Sequence, residues 1–360
     1  MSRLRIIAVV ALPLILLLGG LQYRARSACH GCISTGPALV AALSKAARGT
    51  TLLLAPNARM GEVSLVAVRA RGVAIRSVDP ARPARFVSLE LHDSAGIALS
   101  DLRFEGPLTA LHYKLLVIGC HDIAMNRLDF VGDASAYDDN NSFSAAMLRQ
   151  SSGLKLSNSR FDHFVFGITL LETRHAEISD NNLLRMKEDG IRGGGNDWLV
   201  IRRNQIANSD AHPAGHPDGI QQWTTNVHEA PHDILIEDNL VRRGRGGAGQ
   251  GVFINDEAGL PYVNLVIRNN LVVGGLFNGI SAMGVKSGSV TGNIVLPAKD
   301  QESWLRVERA DDVAVSDNRA GRYVIAGRPA QARNQLIAAT DKPEEVVDAW
   351  LRERRMTLAD

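Results

Sequence analysis

Four stretches, ISDNNL (178–183), IRRNQI (201–206), IEDNLV (236–241) and IRNNLV (267–272), repeat one pattern: an aliphatic residue, two polar residues, Asn, any residue and a second aliphatic residue. VTGNIV (290–295) and VSDNRA (315–320) continue it towards the C-terminus. Towards the N-terminus, LSDLRF (99–104), MNRLDF (125–130) and LSNSRF (156–161) keep the outer positions but carry Leu102, Leu128 and Ser159 where the later copies have Asn. The copies recur every 22 to 35 residues or so, which is the spacing of stacked coils.

A second landmark follows within most copies, a Gly with an aliphatic residue: Gly167-Ile168, Gly190-Ile191, Gly219-Ile220, Gly251-Val252 and Gly279-Ile280. Each coil therefore reads as two or more short strands joined by turns at which Asn and Gly adopt left-handed backbone. An Asn repeated at one turn stacks on its copy in the next coil and bonds the neighbouring backbone through its amide. Together these features predict a parallel β-helix. The missing LxxLxL pattern excludes a leucine-rich repeat, and the coils are too short for the four-stranded blades of a propeller.

Composition agrees with that reading. The 360 residues are 45% hydrophobic, enough for a core, and 33 Gly with 5% aromatic residues favour strands and turns over a helical bundle. A net charge of +2 with no concentrated Lys/Arg run gives nucleic acid nothing to bind.

The ends have their own character. Arg3 and Arg5 precede an apolar run, Ile6 to Gly20, that reads as an export signal and is shorter than the roughly 20 residues of a membrane span. A cleaved signal peptide and a periplasmic or secreted protein are expected; an uncleaved segment would instead anchor the chain to the inner membrane facing the periplasm. Cys29 and Cys32, in CHGC, are expected to form a local disulfide in an oxidising compartment, and Cys120 to be a small buried hydrophobe. An amphipathic helix at about Pro37 to Ala47 is placed as a lid on the first coil. PEEVVDAWLRERRM (343–356), acidic at its start and basic at its end, reads as a helix capping the last coil. The expected division is 1–28 as signal or anchor, 29–340 as the β-helix and 341–360 as the C-terminal cap or tail.

With the coil pattern, the helical cap and the export signal in view, residues 37 to 340 resemble the right-handed parallel β-helix superfamily of the pectate-lyase type. That superfamily includes alginate lyases, chondroitinase B and the mannuronan C5-epimerases. The resemblance implies an all-β, single-stranded right-handed parallel β-helix acting on polysaccharide. Since the superfamily also holds glycosidases, esterases and non-catalytic proteins, the chemistry has to be argued from the site.

Aligning the coils on the Gly-aliphatic landmark superimposes residues that should stack about 4.8 Å apart. The position before Gly runs Phe166, Asp189, Asp218, Gln250, Asn278, and the position after the aliphatic residue runs Thr169, Arg192, Gln221, Phe253, Ser281. Two adjacent coils, KEDGIR (187–192) and HPDGIQ (216–221), thus place Lys187 on His216, Asp189 on Asp218 and Arg192 on Gln221. The longest interval, Asn204 to Asn239, puts its extra residues in loops flanking this patch, where solenoids build binding grooves. GDASAYDDNNSF (132–143) supplies a candidate second wall.

Uronic-acid lyases and C5-epimerases begin alike: the sugar carboxylate is neutralised and a base removes the C5 proton. The candidate catalytic residues are His216, Lys187, Asp218, Asp189 and Arg192, with His216 or Lys187 as base and Arg192, Gln221 or a Ca²⁺ held by Asp189 and Asp218 on the carboxylate. The candidate substrate-binding residues are Gln221, Gln222, Trp223, Arg243 and Arg245. No cofactor besides Ca²⁺ is expected, the partner is an acidic polysaccharide, and the protein is expected to be a monomer. Each residue has a plainer alternative. Asp189 and Asp218 precede Gly and suit turns, Lys187 and His216 suit solvent, Gln221 suits a side-chain ladder, and Trp223 suits packing under a loop. His212, His228 and His232 match no zinc-ligand spacing. A glycosidase working through Asp189 and Asp218, or a non-catalytic polysaccharide-binding solenoid of the cell envelope, are the competing functions.

Overall fold

The interior of the solenoid is built by repetition of the aliphatic positions. Ile178, Ile201, Ile236 and Ile267 pair in register from coil to coil, and each is fully buried. The computed structural model describes residues 29–107, 113–132, 144–210, 217–247 and 249–359, with the backbone alone at 70 and 71. All the coils belong to the compact unit that begins at Cys32. The predicted signal or anchor (1–28), the 133–143 part of the second wall, and His212 and His216 lie outside the described residues. Among the described residues no helix is long and apolar enough to cross a membrane.

The described residues form a 31-stranded parallel β-helix with three strands per typical coil. In the central coils the first sheet holds Phe166–Leu171, Ile191–Gly194, Asp218–Trp223 and Gln250–Asn255. The second holds Arg174–Ser179, Asp197–Arg202, His232–Glu237 and Val263–Arg268, and the third holds three-residue strands such as Gln205–Ala207 and Leu240–Arg242. Inside the third sheet Phe86, Phe104, Phe130 and Phe161 form a column with ring centroids 5.7, 4.6 and 4.5 Å apart. Leu183, Ile206, Val241 and Val272 continue it in register. A translationally repeated position meets its own copy, so one good contact is made once per coil.

The Asn of the sequence pattern is a ladder. Asn204 Oδ1 accepts from the backbone N–H and Nδ2 of Asn181, and Asn204 in turn donates through both groups to Asn239 Oδ1. Asn270, Asn293 and Asn318 continue it, and Asn334, which the pattern does not reveal, is a seventh rung. The left-handed residue of this turn is not the ladder Asn but its predecessor: Asp180, Arg203, Asp238 and Asn269 have φ of 55°, 56°, 52° and 57°. The landmark glycines are likewise not left-handed. A Cβ at Gly251 would lie 2.0 Å from the Gly279 carbonyl oxygen, and one at Gly219 would lie 2.6 Å from Val241 Cγ1. They are glycine because adjacent coils approach too closely there for any side chain.

A second ladder, of mixed chemistry, joins the first and second sheets. Cys120 Sγ accepts from the Ser94 N–H (3.4 Å), Ser151 Oγ from the Cys120 N–H (2.9 Å), and Asn196 Oδ1 from Thr173 N–H (3.0 Å). Cys120 is the free cysteine among the described residues and is fully buried, as expected. It acts as a ladder rung, however, and not simply as an apolar filler.

Helix α1, Gly36–Leu43, is shorter than expected. Thr35 caps its start through Oγ1, and Leu39 and Leu43 are buried in the core of the first coils. Helix α2, Pro343–Glu353, forms where expected but does not cover the last coil. Val347, Trp350 and Leu351 pack on Leu240 and Leu271, which point outward from the third sheet. Trp350 Nε1 donates to Asn269 O, and Arg354 pairs with Asp238 at 2.7 Å. The helix follows an apolar stripe on the outer face of the third sheet, so burial of that stripe, and not the open coil end, determines its position.

Candidate functional site

Register confirms the stacking read from the landmarks. Arg192 pairs with Thr169 and Gln221, and Asp218 pairs with Gln250. Asp189 and Asp218 are both buried, at 5% and 1% exposure, next to one another in successive coils. Asp189 Oδ1 accepts from the Asp218 N–H at 2.9 Å, and its Oδ2 lies 3.3 Å from Arg192 Nη1. Gln221 Nε2 donates to Asp218 Oδ2 at 2.7 Å, while Asp218 Oδ1 is buried without a hydrogen-bond partner among the described residues.

Burial, followed by the negative charge of Asp189, pushes the Asp218 carboxyl up to about 9, against the opposing Gln221 hydrogen bond and Arg192 charge. Asp218 is therefore a neutral acid at pH 7. Because Oδ2 accepts from Gln221, its proton belongs on Oδ1.

Arg192 lies between two aromatic rings. Its guanidinium carbon is 4.0 Å from the Phe166 centroid in the preceding coil and 4.9 Å from the Trp223 centroid in the following one. Gly194 makes room for the indole: a Cβ there would be 2.8 Å from Trp223 Nε1. Phe166 was not among the residues selected from the sequence. The signal for it was its place in the same stacked row as Asp189 and Asp218.

The first-sheet residues meet a cleft between the first and third sheets lined by Glu188, Asp218, Gln250, Arg242 and Arg243. Lys187 is half-buried, and its N–H donates to Phe164 O, as the coil alignment requires. Arg243 reaches this wall with its guanidinium 2.7 Å from Asp300 Oδ2. One residue expected to bind substrate is turned away from the site. Gln222, 1% exposed, points into the coil, where its Oε1 accepts from Asn196 Nδ2. Alternation along the strand turns Gln221 out and Gln222 in. Arg245 is exposed, its backbone N–H held by Asn208 Oδ1 in the turn after the third sheet.

Fold and site together define a parallel β-helix with a buried carboxyl pair beside a cleft. The chain belongs to the family of right-handed β-helix regions, which matches residues 110–295. No curated protein matches it. Among solved structures it is similar to PfbA, a surface adhesin of Streptococcus pneumoniae, at 10% identity and a TM-score of 0.53, over 86% of this chain and 89% of that one. It is also similar to the tailspike protein of E. coli bacteriophage HK620, solved with a pentasaccharide, at 11% identity and a TM-score of 0.53. That match covers 83% of this chain and 61% of the tailspike chain. A GH136 lacto-N-biosidase from Eubacterium ramulus matches at 11% identity and a TM-score of 0.51, over 81% and 62%.

Proposed function

We propose that this protein acts on an acidic polysaccharide laid against the first sheet, removing the C5 proton of a uronic acid as a lyase or a C5-epimerase. The observation that carries the reading is Asp218, a neutral carboxyl with its proton on an oxygen that has no partner among the described residues, beside the Asp189–Arg192 ion pair. An anionic sugar carboxylate needs a hydrogen-bond donor and a positive charge; Arg192 supplies the charge, and Asp218, which lines the cleft, supplies the donor when its buried Oδ1 turns towards it. Lys187 or His216 serves as base. The C5–H electrons then either form a C4–C5 double bond as the C4–O bond breaks and its oxygen takes up a proton, or recapture a proton on the opposite face. The similarity in fold to a tailspike solved with a pentasaccharide and to a lacto-N-biosidase supports sugar as the ligand class.

The donor set among the described residues does not fit Ca²⁺. That ion takes about six to eight oxygens, whereas here only two carboxyls face each other and one of them lies against Arg192. No group of three or more His, Cys, Asp or Glu suited to a metal occurs among the described residues. On Arg3, Arg5 and the Ile6–Gly20 run we also propose export to the periplasm or beyond, with an inner-membrane anchor as the alternative.

The test is incubation with a panel of acidic polysaccharides in D₂O. Ultraviolet absorbance reports the unsaturated product of elimination, and NMR reports deuterium at C5. Either signal, lost in Lys187→Ala or His216→Ala and reduced in Asp218→Asn, supports the reading. New reducing ends without either signal replace it with glycoside hydrolysis, a reading favoured by a neutral carboxyl standing beside an ion-paired one.

A further inference from the structure

One row of the second sheet has left-handed backbone in eight consecutive coils: Gly72, Gly96, Asp122, Gly153, His175, Trp198, Asp233 and Asn264, with φ between 47° and 74°. Six of these are Gly, Asp or Asn, the residues that tolerate this conformation. His175 and Trp198 are the exceptions, at φ 53° and 47°, and a bulky residue is disfavoured there. Burial does not explain their presence, because His175 is exposed and Trp198 is 46% exposed. Their rings stack on each other, with centroids 4.6 Å and planes 11° apart. On the far side of His175 the next row member is Gly153, which has no side chain to cover that ring.

We propose that the His175–Trp198 stack is a second sugar-binding platform, away from the cleft, that holds an uncharged sugar ring of a polysaccharide. A pyranose presents a flat C–H face to an aromatic ring and hydroxyls at its edge. The rim here matches that edge: Asp197, Glu229 and Asp233 offer acceptors, and Arg174 and Asn264 offer donors. The same charged rim leaves no continuous apolar patch for a lipid or an apolar helix, and its carboxylates disfavour phosphate. The platform rests on the reading above only in taking polysaccharide as the ligand.

The test is gel electrophoresis of the whole protein through neutral and acidic polysaccharides, with wild type, Trp198→Asn and Asp218→Asn compared, and with thermal melting of each. Asn suits the left-handed position, so Trp198→Asn is expected to melt no lower than wild type while its retardation weakens roughly three- to tenfold. Equal retardation of wild type and Trp198→Asn, or retardation of wild type by no polysaccharide, overturns the platform. A lower melting temperature in Trp198→Asn also overturns it, because the stack would then be held for stability. Product formation unaltered in Asp218→Asn sinks the cleft reading and leaves the platform standing.

Discussion

Asp218 illustrates how a single carboxyl couples stability to chemistry. Its folded-state value, about 9, lies far above that of an exposed aspartate. The stability this group contributes is therefore fully present below about pH 4 and is lost as pH rises through about 9. Asp218→Asn keeps a neutral, hydrogen-bonding side chain of the same size. It is expected to remove that slope and to melt above wild type at pH 8 and below it, or level with it, near pH 4; parallel slopes in melting temperature from pH 4 to 9 would refute the assignment. If the neutral acid binds the substrate carboxylate, turnover falls as pH approaches 9. At Gly251 the constraint is space: a Cβ would meet the Gly279 carbonyl at 2.0 Å. Gly251→Ala should cost about 1–3 kcal/mol or more, read from the urea midpoint.

At the scale of elements, the two ladders join neighbouring coils through buried polar side chains. Asn239 accepts from two Asn204 groups and donates to Ile201 O and Asn270 Oδ1. Replacing it with Ala strands the Asn204 N–H and should cost about 3 kcal/mol. Asn334, at the half-exposed end of the ladder, should cost about 1 kcal/mol when replaced in the same way. Equal shifts of the urea midpoint for the two variants would show that the ladder adds no coupling between coils. The charged residues of the turns form a further series, including Arg127–Asp101 at 2.6 Å and Arg203–Asp180 at 2.7 Å. Asp101 is buried in the first of these, whereas a half-exposed pair such as Arg203–Asp180 contributes little individually.

For the whole molecule, α2, like α1, is not part of the repeat. It covers Leu240 and Leu271, which are fully buried only because the helix lies over them. Removing residues 341–360 uncovers an apolar stripe while leaving each coil its neighbours. The truncated protein is expected to keep its β-sheet circular dichroism and to associate with rising concentration in light scattering. Retention of a monomer at all concentrations would mean that the helix is dispensable for solubility. Trp350→Ala should loosen the same contact, at a cost of about 3–5 kcal/mol.

The coil pattern and the order of the stacked rows were legible in the sequence by itself. In a solenoid a residue meets its own copy one coil away, so periodicity is already a list of contacts, and the superposition of Asp189 on Asp218 and of Arg192 on Gln221 follows from counting. The ladder Asn and both helices were legible for the same local reasons. Tertiary structure alone decided what counting cannot carry: that Gln222 meets Asn196 inside the coil, that the landmark glycines answer a close approach and not a left-handed turn, and that α2 lies along the third sheet. It also decided the protonation of Asp218, because desolvation depends on everything packed around a carboxyl and not on its neighbours in the chain.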